Sequence, residues 1–410
     1  MPMRILYLTQ WFDPEPAFKG AAFARALADA GHEVEVATGF PNYPGGKLYQ
    51  GYRLRPYRSE TINGLKVHRL LLYPSHNASS LKRVFNYLGF FLSSLLFGLL
   101  RGSRYDIVYV YHPPLTPALA AALFCAVRRK PFVVDIQDLW PDSVAASGMA
   151  NPRIVGALMR ACNFVYRRAA CLIVQSEGMK GELARRGVAD DRLSTVFNWA
   201  TYQPPAEGQR LPETIVAAFA GRLNLVYGGN MGQAQQLTVL IDAAIAAHRR
   251  EPAIRLHLIG GGIERDPLRQ KVRDAGADDI VHFHPPVARD IMDRVFDTAD
   301  ILVMHLKYDP LYLITIPSKT QHYLACGKPI AAGVSGEAAD ILNGSGAALV
   351  VPPSDSAALA GAIEALAAAS ASDRSAKGAA GRADYDARFS FAHAIHATEA
   401  ILHRIWEARR

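Results

Sequence analysis

The stretch "KRVFNYLGFFLSSLLFGLLR" (residues 82–101) is the most apolar of the chain and carries basic residues at both ends. Its reading decides the fold. A helix that crosses a bilayer needs about 20 predominantly apolar residues. Here residues 84–100 lie at the lower edge of that length and are interrupted by Asn86, Ser93 and Ser94. Strand-like runs flank the stretch, "LKVHRLLL" (65–72) before it and "DIVYVYH" (106–112) after it. A membrane span would put two parts of one sheet on opposite sides of the bilayer. The stretch therefore reads as the crossover helix between two strands. It is apolar nearly all round, with Lys82, Arg83, Arg101 and Arg104 at its ends. Contact of its outer face with the lipid interface is the favoured expectation, and complete burial is the other reading.

Working outward, the same alternation repeats. "RILYLT" (4–9), "HEVEVAT" (32–38), "FVVDIQ" (132–137) and "CLIVQS" (171–176) are short apolar runs, with helical segments such as 21–30 and 116–128 between them. Continuous apolar strands alternating with helices indicate parallel strands buried on both faces. The proline-bearing stretch at 200–213 reads as a linker. The alternation then restarts with "LNLVYGG" (223–229), "RLHLIGG" (255–261), "DIVHFH" (279–284), "DILVMHL" (300–306), "PIAAGV" (329–334) and "AALVVPP" (347–353). The expected fold class is α/β, with two Rossmann-like domains facing a central cleft and a C-terminal helix packing back across the junction. The expected boundaries are 1–199, linker 200–213, 214–388 and a crossover helix at 389–410. A chain of 410 residues suits two cores rather than one.

Composition narrows the function. The four cysteines form no CxxC pair, which argues against a zinc site or a disulfide scaffold and fits a reducing compartment. The N-terminus "MPMRILYLTQWF" has only a five-residue apolar run and reads as a first strand rather than a signal peptide. Charge is uneven: residues 1–205 hold 24 basic and 14 acidic residues, and residues 43–130 hold 13 basic against Glu60 and Asp106 alone. So one-sided a surface attracts an anionic partner, unless it is simply a solvated basic face. No aromatic-interleaved basic motif or reading helix is present, so nucleic acid is not the expected partner.

Open α/β sheets bind ligands at the carboxyl ends of their strands. After the first strand, "DPEPAFKGAAFAR" (13–25) places Gly20 before a helix start that reads either as a phosphate site or as an ordinary helix beginning. Arg25 in that helix is a further substrate-binding candidate. His112 ends "DIVYVYH" and is either a site residue or structural. Asp138 follows "FVVDIQ" and is placed to orient a polar substrate, whereas Asp135 lies inside the strand. In the second half, "YGGNMGQ" (227–233) brings Gly229, Asn230 and Gly232 to a strand end that a diphosphate can approach. "GVSGEAADIL" (333–342) repeats the device with Ser335, Gly336 and Glu337. Between them "IPSKTQHYLACGKP" (316–329) offers Ser318, Lys319 and His322, the lysine being either a phosphate partner or a surface charge. "DYD" (384–386) reads as a solvated face.

Together "GFPNYPGG" (39–46), "DLWPDS" (138–143), "FNW" (197–199), "GNMGQAQQL" (229–237) and "IPSKTQHYLACGKPI" (316–330) resemble family 4 of the bacterial glycosyltransferases, of the GT-B fold. The resemblance runs nearly end to end. It is greatest to the O-antigen and capsule subgroup that includes N-acetyl-fucosamine transferases. It implies a retaining transfer from a UDP-sugar, with no metal requirement, to a polyprenyl-pyrophosphate-linked sugar at the cytoplasmic face of the inner membrane, where the protein would sit peripherally. The first domain would then bind the acceptor and the second the nucleotide-sugar. By position His112 would contact the donor sugar near the reacting carbon, and Gly20 would border the diphosphate. The family's paired glutamates fall at Ile314 and His322, its Arg at Asn230 and its Lys at Gln235. Lys319 is the replacement cation, His322 a hydrogen-bonding substitute at the ribose, and Glu337 or Asp340 a partial stand-in for the first glutamate. His112 and Lys319 are thus the catalytic candidates. A catalytically silent binding subunit and a nucleotide-sugar epimerase of the same architecture are the competing readings.

Overall fold

Strands built from unbroken apolar runs cannot leave a face in water, so both sheets sit between helical layers. The protein is described by a computed structural model that covers residues 2–75, 80–142, 151–206, 208 and 210–409. Two compact units emerge, Met1–Val196 with Ile395–Arg410, and Phe197–Ala394.

The first unit holds β1 (Arg4–Leu8), β2 (Glu33–Gly39), β3 (Tyr57–Ile62), β4 (Leu65–Leu70), β5 (Ile107–His112), β6 (Phe132–Ile136), β7 (Cys171–Val174) and β8 (Leu193–Thr195). Their order across the sheet is β3-β4-β2-β1-β5-β6-β7-β8. All neighbours pair in parallel except β3 and β4, an antiparallel hairpin. Sequence reading missed β3 because "YRSETI" is polar at most positions. As an edge strand with one partner it needs no apolar run, and Asn63-Gly64 supplies the left-handed turn residues. Strand order reverses at β1 and β5, so Leu8 and His112 end at the topological switch point.

The second unit holds β9 (Leu223–Gly228), β10 (Ile254–Ile259), β11 (Val281–His284), β12 (Ile301–His305), β13 (Ile330–Gly333) and β14 (Ala348–Val351), ordered β11-β10-β9-β12-β13-β14 and parallel throughout. Here the reversal lies at β9 and β12. Segment 197–206 is held to this unit: the Ala200 N–H donates to the Tyr385 hydroxyl at 3.1 Å and the Gln203 N–H to Asp293 at 3.1 Å. "DYD" lies on the Ala371–Arg388 helix, where Asp384 pairs with Arg388 and Asp386 with Arg382, each one turn away. The chain re-enters the first unit at Ile395 on the Phe391–Glu407 helix. All four cysteines are buried and free.

The stretch that opened the sequence reading is the Ser80–Arg101 helix, and it lies between β4 and β5 as a crossover helix must. Leu81–Arg104 has the length and composition to cross a membrane, and 28% of its most apolar stretch is buried. One face is built into the protein. Asn86, Phe90, Ser94 and Phe97 are buried, and Gly98 lets the ring of Phe124 come closer than any Cβ would allow. Burying each phenylalanine is worth about 1.5–3 kcal/mol, enough to fix which face turns inward. The other face carries Leu81, Val84, Phe85, Leu88, Leu92, Leu96 and Leu100 at helical spacing, each between 45% and 68% exposed. So long an apolar stripe is far more than scattered surface leucines.

Candidate active site

In the second unit the site begins where β9 stops. Two glycine-rich turns, 228–232 and 260–262, pack backbone against backbone. Gly260 has φ +142°, and a Cβ on it would stand 2.0 Å from the Gly229 carbonyl oxygen. A Cβ on Gly262, φ +145°, would stand 2.3 Å from that of Met231. The Gly229 N–H donates to the Ile259 carbonyl at 2.9 Å and the Met231 N–H to the Gly261 carbonyl at 2.7 Å. The Gly232 N–H, expected to be open to a ligand, instead donates to Gln235 Oε1 at 3.0 Å. That side chain closes the turn from within and corrects the reading of Gly232 as a phosphate contact. His305, at the end of β12, accepts the Ser354 N–H at Nε2 (3.1 Å). Its Nδ1–H then donates to the Gln235 carbonyl at 2.9 Å, so this histidine is a brace for the turn. Neither the second glycine turn nor His305 was singled out from sequence.

Lys319 lies in the first turn of the Ser318–Cys326 helix. Its ammonium stands 4.8 Å from the centre of the Tyr227 ring, and a Cβ at Gly229 would be 2.9 Å from its Nζ. The glycine thus leaves room for the charge directly above the main chain. Burial pushes the Lys319 pKa down to about 8, because a half-buried ammonium has lost much of its water. Such a cation gains most from a bound anion. Ser318 is exposed beside it, and Asn230, also exposed, has its carbonyl held by the Tyr227 hydroxyl at 2.5 Å.

His322 is one turn further along. Its Nε2 lies 3.1 Å from Asp293 Oδ1, a carboxylate that is itself buried, and its ring meets Tyr202 and Phe296 edge-on. A buried carboxylate of the Arg289–Thr298 helix thus holds the His322 ring. Ser335 and Glu337 are half-buried at the start of the Glu337–Gly344 helix. Gly336 has φ +66°, and a Cβ there would strike the Leu313 backbone at 2.3–2.7 Å, so this turn packs against residues 310–313.

In the first unit His112 ends β5 at 1% exposure, and neither ring nitrogen has a hydrogen-bond partner among the described residues. Burial pushes its pKa down to about 4, so it is neutral at physiological pH. Trp140 stands edge-on to it at 5.7 Å. A polar ring buried without partners is costly, about 1–3 kcal/mol per unmet group, and residues in that state are commonly held for a ligand. Asp138 is exposed just past β6.

Two first-unit expectations are overturned. The helix after Gly20 already has an anion at its N-terminus: Asp13 Oδ2 accepts the Ala21 N–H at 2.6 Å, and a Cβ on Gly20 would collide with that carboxylate at 2.3 Å. A phosphate there would meet like charge. Arg25 pairs with Asp29 on the surface and lines a hollow with Arg4, Glu33 and Lys66, at the amino ends of the strands. That is the wrong edge of the sheet for this chemistry.

Sequence reading also missed Lys19. It is fully buried, paired with Asp135, and Asp135 in turn accepts from Tyr109 and from Gln137 Nε2 (2.5 Å). Among the described residues one trio could offer metal ligands: His32, Glu399 and His403. His32 Nδ1 accepts the Met3 N–H at 3.2 Å, so the neutral ring carries its proton on Nε2, facing Glu399. His32 thus presents an N–H rather than a lone pair toward Glu399, which does not suit a metal ligand.

These half-sites agree with what the chain matches. Residues 21–199 match a glycosyl transferase 4-like domain, and residues 222–369 match the glycosyl transferases group 1 domain. The chain is a GT-B glycosyltransferase. This glycosyltransferase is 27% identical over 315 residues to WcaI of Escherichia coli (strain K12), named as a colanic acid biosynthesis glycosyl transferase, covering 73% of this chain and 75% of that one. It is 32% identical over 172 residues to the D-inositol 3-phosphate glycosyltransferase of Pseudarthrobacter chlorophenolicus, covering 40% and 39%. Its fold is that of Anabaena HepE, solved with UDP (TM-score 0.67, 16% identity, 98% and 100% covered). It is also that of sucrose-phosphate synthase from Thermosynechococcus elongatus (TM-score 0.68, 18% identity, 99% and 100% covered).

Proposed function

We propose that this glycosyltransferase moves an N-acetylated amino or deoxyamino hexose, with retention, from a UDP-sugar to a lipid-pyrophosphate-linked sugar. The setting is the assembly of a surface polysaccharide of the O-antigen or capsule kind. The observation that carries the reading is the desolvated Lys319 ammonium above the Gly229 turn at a switch point. The name of the E. coli relative supports a polysaccharide setting, and the UDP in the Anabaena neighbour supports a uridine nucleotide.

As proposed, the C1–O bond to the diphosphate breaks while the bond from C1 to the acceptor oxygen forms, and the acceptor's proton passes to the departing phosphate oxygen. The growing negative charge on the diphosphate is met by Lys319 and the adjoining main chain, so the reaction needs no metal. His112, neutral and with no ring hydrogen bond among the described residues, offers its ring to a sugar hydroxyl. The apolar stripe and the basic residues at its ends rest on the anionic cytoplasmic face of the inner membrane.

A panel of nucleotide-sugars in a thermal-shift assay, followed by a UDP-release assay with a lipid-linked acceptor and EDTA present, tests this directly. If no nucleotide-sugar raises the melting temperature and none is consumed, the reading is wrong. The Lys319 pKa adds a pH signature. The free protein loses this charge as pH rises through about 8, so kcat/KM for the donor is expected to fall about tenfold per unit at higher pH. A flat profile from pH 7 to 10 would remove Lys319 from the chemistry. His112→Leu is expected to raise the melting temperature, by removing two ring nitrogens that have no partner among the described residues, while cutting turnover by about tenfold or more. Lower stability together with unchanged turnover would make His112 a packing residue.

A further inference from the structure

The outer face of the Ser80–Arg101 helix carries an open recess toward its start. Tyr73, Leu81, Phe85, Leu88 and Leu92 line this groove of about 590 Å³, together with Lys82. Gly89 forms the floor. A Cβ there would come within 3.3–3.4 Å of the backbone of Tyr73 and Leu72, which is how the helix lies so close to the chain leaving β4. The location has meaning. β4 ends at the carboxyl edge of the sheet, so the helix that follows starts there and runs back to the amino edge, where β5 begins. The recess occupies the first turns, at the edge where ligands bind. The apolar stripe continues past the recess to Leu96 and Leu100, which do not line it.

Charge and polarity select the occupant. The walls are hydrocarbon, which excludes a nucleotide or a free sugar, and a flat bilayer surface touches a convex stripe rather than filling a recess. The charged side chains at this end of the helix are Lys82 at the rim and Arg83 beside it. On the opposite face of the same turn, Asn86 accepts from Gln10 Nε2 at 2.5 Å and donates to the Tyr73 carbonyl at 2.7 Å. Gln10 follows the end of β1, and its Oε1 is buried without a hydrogen-bond partner among the described residues. An amphiphile with one hydrocarbon chain and a phosphate head fits these constraints, its head met by the charges of Lys82 and Arg83.

We infer that this groove seats the lipid anchor of the acceptor, its chain along Tyr73, Phe85, Leu88 and Leu92 and its phosphate at Lys82 and Arg83. The inference rests on the lipid-linked acceptor proposed above. The test is photolabelling of the full-length protein in detergent micelles with a diazirine-bearing isoprenyl phosphate, with labelled positions read by peptide mapping. Labelling is expected at Tyr73 and residues 81–92 and not at 96–100. Leu88→Trp fills the recess from an exposed position; it should abolish that labelling and raise KM for a lipid-linked acceptor by about tenfold, while flotation with anionic phosphatidylglycerol vesicles persists. Leu96→Asp should do the reverse, lowering flotation and sparing the labelling. Labelling spread evenly from 81 to 100, insensitivity to Leu88→Trp, or displacement by inorganic phosphate alone would each overturn the groove. A wild-type protein that neither floats nor uses any lipid-linked acceptor would overturn the functional reading. One that floats and transfers without labelling the groove would overturn this inference alone.

Discussion

Lys319→Ala is expected to lower turnover by about 10²–10³-fold, the range found when one preorganised group facing developing charge is removed. Lys319 combines the features that make such a group effective. It is fixed by the helix start and the Tyr227 ring, it has lost much of its hydration, and it stands over a residue without a side chain. Lys319→Arg should recover only part of the loss, since a planar guanidinium does not fit the space above Gly229 that a compact ammonium occupies. His322→Ala should cost much less, because that ring is already engaged by Asp293. The measurement is single-turnover UDP release at saturating donor. Equal, mild losses at Lys319 and His322 would sink the assignment.

The largest expected effect on stability lies at Lys19. Lys19→Met should destabilise the first unit by about 3–5 kcal/mol, because it leaves the Asp135 carboxylate in a fully buried site without its counter-charge. Asp135→Leu alone should cost a comparable amount by stranding the ammonium. The double variant should recover much of the loss, since replacing both charges removes the desolvation penalty together with the attraction. Urea denaturation followed by far-UV circular dichroism reads all three. If the double variant is as unstable as the sum of the singles, the pair does not act as a unit.

The strands were largely legible in the sequence because parallel strands buried on both faces are written as unbroken apolar runs. "DIVYVYH" and "DILVMHL" coincide with β5 and β12 almost residue for residue. The β3 edge strand was invisible for the opposite reason, being mostly polar. Lys319 and the Gly229 turn could be found because both sit directly after recognisable strand or helix boundaries. What sequence could not provide was pairing across distance. Lys19 and Asp135 are 116 residues apart, and nothing local in "AFKG" marks the lysine as buried. Gly20 misled because the anion for its helix is Asp13 of the same loop, and position alone did not reveal that the N-terminus was already capped. Arg25 misled because a helix after a strand carries residues toward both edges of the sheet, and this one lies toward the amino edge. The apolar helix was half legible: being apolar nearly all round, it did not show which face turns inward, and Asn86 and Ser94, which looked like interruptions, belong to the buried face.

The return of the chain at Ile395 bears on how the protein is made. The helix that closes the first unit brings Leu402, which is fully buried, with Ile401 and Ile405 at 8% exposure, and it places Glu399 against His32. Those residues are synthesised only after the whole of the second unit. The second unit is continuous in sequence and can complete its core as it is made, whereas the first, although begun earlier, must wait with a bare flank until the second has been synthesised. Amino-terminal fragments ending near Val196 should therefore aggregate, and supplying the final segment as a separate peptide should rescue their solubility.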